Sequence, residues 1–218
     1  MTIIAFAYCD VLRELSPTYR ACIPGMVASI RQAMPDARVY HITDDKSEPA
    51  EGCETFRVAR TNDHIMTWRL EAQARAQELG PEILFTEPDV RFYSDVLEVW
   101  SEKFDIAITG RESGGTFRGQ QLLHIAPWTQ GCVFSRSPDF WRDAAAHCAT
   151  LGRKSQLWFG DMLSIAKVIR SGKYRVTELD AAIYNHIPNE PGELVASKVV
   201  HFKGERKNWL FNMATEAA

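Results

Sequence analysis

An α/β fold, a mostly parallel mixed sheet flanked by helices, is predicted for this 218-residue chain by three observations. Short apolar runs alternate with segments of helical periodicity. Proline and glycine punctuate the ends of those segments. The run Ile83-Leu84-Phe85 is apolar at consecutive positions, as in a strand buried on both faces. The length fits one domain, about 100–200 residues being usual, and no repeat, low-complexity tract or linker divides it.

Ile3 to Cys9 is the first expected strand. Ser16 offers a cap and Pro17 a first-turn residue for a helix that runs to about Ala33, where Met34-Pro35-Asp36 ends it. Arg38 to Thr43 and Glu54 to Val58 are the next strands, and the segment from about His64 to Leu79 is helical, stopped by Gly80-Pro81. Ile83 to Thr86 is the all-apolar strand. Val96 to Trp100 suits a helical turn, and Asp105 to Thr109 another strand. The stretch between Gly110 and Pro127, rich in Gly, Ser, Arg and Gln (Arg111 and Arg118 among them), is expected either as a mobile loop over the site or as a surface excursion. Cys132-Val133-Phe134 is a strand, Ser137-Pro138-Asp139 opens a helix to about Leu151, and Phe159 to Ser171 is a further helix ended by Gly172. Tyr174 to Leu179 and Lys198 to Phe202 complete the strands.

Composition bounds the function. With 45% hydrophobic and 24% charged residues the chain is of ordinary soluble globular type. A formal charge of -3 gives no support to a protein that coats a polyanion. No apolar run approaches the roughly 20 residues that cross a bilayer. Met1 to Phe6 lacks a basic leader and a cleavage site, so it is expected as strand and the chain as cytoplasmic. Cys9, Cys22, Cys53, Cys132 and Cys148 are odd in number and lack Cys-x-x-Cys spacing, which argues for reduced, buried thiols. No Gly-x-Gly-x-x-Gly turn follows the first strand, against a dehydrogenase.

Two segments carry chemistry. The strand ending at Thr86 delivers Glu87 and Asp89, one position apart, and alternation along extended backbone turns both carboxylates to one side, where they can converge on a divalent cation; taken alone, Glu87-Pro88-Asp89 also reads as a polar turn with both acids solvated. Ligands of open α/β sheets collect at such carboxyl ends. Far along the chain, Val199-Val200 leads to His201, followed by Gly204 and Lys207. A neutral imidazole is a good third ligand beside two carboxylates, in a mixed shell suited to manganese. Glycine lets the backbone approach an anion, and lysine supplies a point charge for a phosphate.

The acidic pair after an apolar strand resembles the Asp-x-Asp motif of GT-A-type glycosyltransferases, with Glu87 in the first place. The His-Phe-x-Gly-x-x-Lys run at 201–207 resembles the C-terminal signature of glycosyltransferase family 8 and its relatives, and Pro127-Trp128-Thr129-Gln130-Gly131-Cys132-Val133-Phe134 resembles that group's Asn-Ser-Gly-Val strand beneath the donor sugar. The resemblance implies a single GT-A-like, Rossmann-like domain over 1–218, with 1–110 mainly for nucleotide and metal and 111–218 mainly for donor sugar, acceptor and the C-terminal diphosphate loop. It implies a hexosyltransferase-like enzyme using Mn2+ or Mg2+ and a nucleoside diphosphate sugar, UDP-linked as the best guess. The acceptor would be a saccharide or another hydroxyl compound. Asp89 would bind the cation most directly, Glu87 would bridge metal and ribose, and His201 would complete the protein ligands. Gly204 and Lys207 would hold the diphosphate. Tyr8 and Asp10 fall where base and ribose contacts begin, and Arg69 matches a basic position near the donor phosphates or sugar.

One departure concerns Asp161. The family's helix opens with an Asp-Gln-Asp-like run near the anomeric carbon, whereas this chain has Phe159-Gly160-Asp161. Three roles are open to the remaining acid: stabilising positive charge on the sugar, orienting the acceptor, or favouring its own helix terminus. Gln130 or a backbone carbonyl can also supply the electron-rich face for a front-side transfer, and an acid acting from the far side would invert the product. Glu87 in place of Asp and the missing glutamine motivate a rival from another class, a catalytically weak nucleotide-sugar binder. A same-fold transferase acting on modified bases in DNA is a third reading, disfavoured by the acidic balance and the lack of a stacking platform.

Overall fold

The computed structural model of the chain describes residues 2–10, 16–61, 63–111, 114–191, 193 and 196–210. Its elements in chain order are β1 (Ile3–Ala7), α1 (Ser16–Ala33), β2 (Arg38–Thr43), β3 (Glu54–Arg57), α2 (Ile65–Ala76), β4 (Ile83–Thr86), β5 (Val90–Phe92), β6 (Ile106–Gly110), β7 (Thr116–Phe117), β8 (Gln120–Gln121), α3 (Leu122–Ile125), β9 (Trp128–Ser135), α4 (Pro138–Thr150), α5 (Arg153–Leu157), α6 (Gly160–Arg170), β10 (Val176–Leu179), α7 (Ala181–Tyr184) and β11 (Val199–His201). Short 3-10 turns cover Gln77–Leu79, Leu97–Ser101 and Gly204–Arg206.

Seven strands form one sheet in the order β10-β6-β9-β4-β1-β2-β3. Only β9 runs against its neighbours, so the sheet is mixed but mostly parallel. Strand alternation divides the core into two layers. Ile3 and Ala5 of β1 and Ile83 and Phe85 of β4 pack with Trp68, Leu70, Phe140, Trp141 and Ile165 on α2, α4 and α6. Ile4, Phe6 and Leu84 face the other way, onto Ile23, Met26, Val27 and Ile30 of α1. This is why β4 has no polar residue before its end.

The expected elements are present, with ends shifted by a few residues. Helix α1 stops at Ala33 as expected; the cap at Ser16 lies outside the described side chains. Ser137 caps α4, its hydroxyl accepting from the Phe140 N–H at 3.3 Å. The 110–127 segment is more ordered than a plain loop. It carries the β7-β8 hairpin and α3, while Glu112 and Ser113 lie outside the described residues. Arg118 and Gly119 join the two short strands at φ 50° and 77°, the positive values that a two-residue type I′ hairpin turn requires.

Besides the short helices α5 and α7, two further features were not expected from sequence, and both shape the site. Strand β5 follows the acidic pair directly and pairs antiparallel with β11, outside the main sheet. The β6-β9 register then jumps: Ile108 opposes Val133 but Thr109 opposes Thr129, leaving 130–132 as a bulge. No helix among the described residues is long and apolar enough to cross a membrane. All five cysteines are free thiols.

His41 gives the fold a pH dependence. Fully buried and stacked on Phe6 with ring centroids 5.0 Å apart, it accepts the Ala50 N–H at Nδ1 (3.0 Å) and donates from Nε2 to the Tyr8 carbonyl (2.9 Å). Accepting the Ala50 N–H needs the neutral ring, and burial lowers its pKa from 6.5 to about 4 against the opposing pull of the Tyr8 carbonyl. The unfolded ring takes up a proton below its higher pKa, so this group's stabilisation is present above about 6.5 and is lost as pH falls toward about 4. The expected loss is about 3 kcal/mol. Urea unfolding across that window should show it, with a shallower slope in His41→Gln; equal slopes would exclude His41 as the source.

Candidate functional site

At the carboxyl end of β4 the chain turns instead of extending. The Val90 N–H bonds back to the Glu87 carbonyl at 3.3 Å, so Glu87 and Asp89 converge through a turn and not by the strand alternation expected from sequence. The β5-β11 ribbon then places His201 directly opposite Val90. The Phe202 N–H donates to the Asp89 carbonyl at 2.9 Å, tying the histidine segment to the acidic turn.

The side chains meet as this register demands. His201 Nε2 lies 3.2 Å from Glu87 Oε2 and 3.3 Å from Asp89 Oδ1. One ligand atom from each of the three residues lies within 4.8 Å of the others. On the far side of the ring, Nδ1 faces the amide oxygen of Asn185 at 2.9 Å, and the Asn185 amide nitrogen donates to Thr129 Oγ1 at 2.5 Å. Thr129 pairs in turn with Thr109, 3.0 Å away. With its proton on Nδ1, the imidazole turns a lone pair toward two carboxylate oxygens. Asp89 Oδ1 is buried and has no hydrogen-bond donor. Three acceptors facing one another across a few ångströms call for a cation, so this donor set fits a divalent metal.

Gly131 makes that approach sterically feasible. A Cβ there would lie 2.0 Å from Asn185 Oδ1 and 2.4 Å from His201 Nδ1. Sequence reading singled out neither Asn185 nor Gly131 for this work. The nearest signal was the likeness of the 127–134 run to a strand beneath the donor sugar.

A ring of charge surrounds the acids. Arg69 Nη1 bridges Glu87 Oε1 (2.9 Å) and Asp161 Oδ2 (3.2 Å). Burial works to raise the Glu87 carboxyl, but Arg69, joined by His201 when that ring is protonated, outweighs it and holds the group below its ordinary value. Burial likewise opposes ionisation of Asp89, where a protonated His201 and Lys207 prevail and keep the carboxyl well below the usual range. At Asp161 burial wins over Arg69 and its carboxyl is raised. Lys207 Nζ contacts Asp89 Oδ2 at 2.8 Å and sits over the Tyr19 ring, 4.4 Å from its centroid. Lys203 also lines the cavity; burial pushes its ammonium down to about 8. Tyr19 and Lys203 were not picked out from sequence.

The bulge in β9 aims Gln130 inward. Its amide nitrogen donates to Asp161 Oδ2 at 2.7 Å and its oxygen accepts from Gln73 at 3.3 Å. A glutamine thus reaches Asp161 from β9 although none precedes it in α6. Tyr8, Arg69, Glu87, Asp89, Gln130, Asp161, His201, Gly204 and Lys207 all line one cavity of about 340 Å³. Gly204 turns the backbone there at φ 63°, in the left-handed region. Asp10 stands just outside the lining, accepting from the Tyr8 hydroxyl at 2.9 Å and paired with Arg20 at 2.9 Å. Every residue singled out from sequence therefore lines this cavity or adjoins it.

No protein-family model matches the chain, and no curated sequence matches it. Solved structures do. The galactosyltransferase LgtC, in complex with donor and acceptor sugar analogs, aligns over 98% of this chain and 96% of its own, with TM-score 0.58 and 13% identity. A glycosyltransferase involved in glycosylation of the major capsid of PBCV-1 aligns over 98% of this chain and 100% of its own, with TM-score 0.63 and 12% identity. The glycosyltransferase GlyE of Streptococcus pneumoniae TIGR4 aligns over 97% of this chain and 60% of its own, with TM-score 0.61 and 13% identity. At such identities the likeness is one of fold: this single α/β domain shares the fold of the aligned regions of these glycosyltransferase structures.

Proposed function

We propose that this chain is a metal-dependent glycosyltransferase that moves a sugar from a nucleoside diphosphate donor, UDP-linked by preference, to an acceptor hydroxyl. The observation that carries the reading is the convergence of Glu87, Asp89 and His201, from segments over a hundred residues apart, on three mutually facing acceptor atoms inside one cavity.

Those three residues would hold Mn2+ or Mg2+, and the bound cation would neutralise charge on the departing diphosphate. The chain's own groups do the rest. Lys207 and Lys203 bring positive charge to the wall that the Gly204 turn shapes, where a diphosphate is best placed. Tyr8, with Asp10 behind it, takes the base and ribose at the end of β1. Arg69 fixes Asp161 relative to Glu87, so the group facing the sugar and the group facing the diphosphate share one brace.

In the transfer, the anomeric C–O bond to the diphosphate breaks with its electron pair leaving on the diphosphate oxygen. The acceptor oxygen forms the new bond and gives up its proton to the departing diphosphate. The sugar passes through an electron-poor state, and the Asp161 carboxylate, held by the Gln130 amide nitrogen and Arg69, supplies the electron-rich face it needs. On this reading residues 1–110 serve mainly nucleotide and metal, and 111–218 mainly sugar and acceptor, although His201 and Lys207 return to the metal end. The test is release of free UDP from UDP-sugars with manganese, with and without candidate acceptors. Metal-dependent release that rises with an acceptor is expected. Tight binding without release under any acceptor would replace the proposal with a nucleotide-sugar binder.

A further inference from the structure

We propose that Trp158 is the platform on which a pyranose acceptor stacks; the inference rests on the sugar-transfer reading above. The turn between α5 and α6 is built to hold this indole out of the core. Gly160 packs so closely on α5 that a Cβ there would lie 2.4 Å from the Ser155 carbonyl oxygen, and the Trp158 N–H donates to that same oxygen at 3.2 Å. Trp158 itself is extended, at φ -153° and ψ 129°. Phe159 then swings to φ 72° before α6 begins.

Among the described residues only Arg118 and Phe159 adopt positive φ without being glycine. Arg118 does so inside a hairpin turn that requires it; Phe159 has no such turn. A bulky residue in that region is strained. Two contacts hold it there. The Phe159 ring stacks on Phe117 with centroids 4.3 Å apart, and Arg118 donates to Ser155 Oγ at 3.0 Å. The β7-β8 hairpin thus clamps the α5-α6 turn from outside, and the clamped turn leaves Trp158 47% exposed while it lines the catalytic cavity. An indole kept half in water beside a polar floor is a binding feature, since packing alone would bury it.

The occupant follows from the chemistry of the two surfaces. A pyranose has a face of C–H groups and a rim of hydroxyls, matching an indole wall next to Asp161 and Gln130. Phe159 and Met162 extend the apolar side of that wall. A phosphate group would be drawn instead to Lys203 and Lys207. The nucleobase is assigned to the end of β1, at Tyr8. What remains for the α5-α6 turn is the ring that accepts the sugar.

Methyl β-d-galactopyranoside and methyl β-d-glucopyranoside, titrated into the full chain with UDP and manganese, test the assignment. The wild type should bind at least one of them. Trp158→Ala should weaken that binding about tenfold, and Trp158→Phe should recover part of it, with UDP affinity equal in all three proteins. Pyranoside affinity unchanged in Trp158→Ala would overturn the inference. So would a parallel fall in UDP affinity, which would put the base on the indole, or a wild type that binds UDP and neither pyranoside. A wild type that fails to bind UDP with manganese would overturn the sugar-transfer reading itself.

Discussion

Asp89→Asn is expected to abolish the manganese-dependent part of UDP binding. The substitution keeps the shape of the side chain and removes the charge. It also replaces one oxygen with an amide that cannot ligate as a carboxylate does. The turn that carries residue 89 is held by backbone bonds, Val90 N–H to Glu87 and Phe202 N–H to the Asp89 carbonyl, which the variant retains. Lys207 loses its carboxylate partner but keeps the face of Tyr19. Calorimetric titration of UDP with and without manganese should show a loss of at least about 100-fold in the metal-dependent component. Thermal unfolding run alongside should show the sheet intact. Equal UDP affinity of variant and wild type in manganese would remove Asp89 from the site.

Gly131→Ala is expected to damage the same site without touching a ligand. The added methyl group would stand 2.0 Å from Asn185 Oδ1 and 2.4 Å from His201 Nδ1, far inside van der Waals contact. Strand β9 is bulged away from β6 at this point but anchored to β4, where Thr86 opposes Cys132 and the Gly131 carbonyl accepts from Thr86 Oγ1 at 2.9 Å. The side chains must give way. Moving Asn185 breaks the bond that keeps the proton on Nδ1 of His201, and moving His201 opens the distance to Asp89. Loss of such an orienting partner costs about 10- to 100-fold in metal affinity, and overpacking of this kind costs about 1–3 kcal/mol of stability. Manganese titration followed by electron paramagnetic resonance reads the first and urea unfolding the second. A variant with full manganese affinity would show that the Asn185 contact does not position the imidazole.

The legible part of this fold is the part governed by local pattern. Apolar strands at Ile3, Arg38 and Ile83, and helix stops at Pro35, Gly80 and Gly172, follow from periodicity and from which residues tolerate a turn. The chemistry-bearing residues were legible for a related reason: acids at the end of a buried strand, and a histidine with glycine and lysine after another, are dense local signals. What escaped was long-range. Val90-Arg91-Phe92 is too short to announce a strand, and its partner lies more than a hundred residues on, so the ribbon that brings His201 to Asp89 has no local trace. Asn185 is an unremarked polar residue until Gly131 is seen to leave room for it. The bulge at 130–132 depends on two neighbouring strands pairing out of step with β9. The 110–127 stretch reads as loop because its strands are two residues each, and their stability comes from the Phe117-Phe159 stack rather than from their own pattern.

One cation is expected between Glu87, Asp89 and His201. Anomalous scattering from manganese, in crystals grown with UDP, locates it without reference to turnover. A single strong peak should lie within bonding distance of Asp89, Glu87 and His201 Nε2, with the diphosphate on its open side toward Lys207. A peak elsewhere in the cavity, or UDP bound with no manganese between those three side chains, would contradict it.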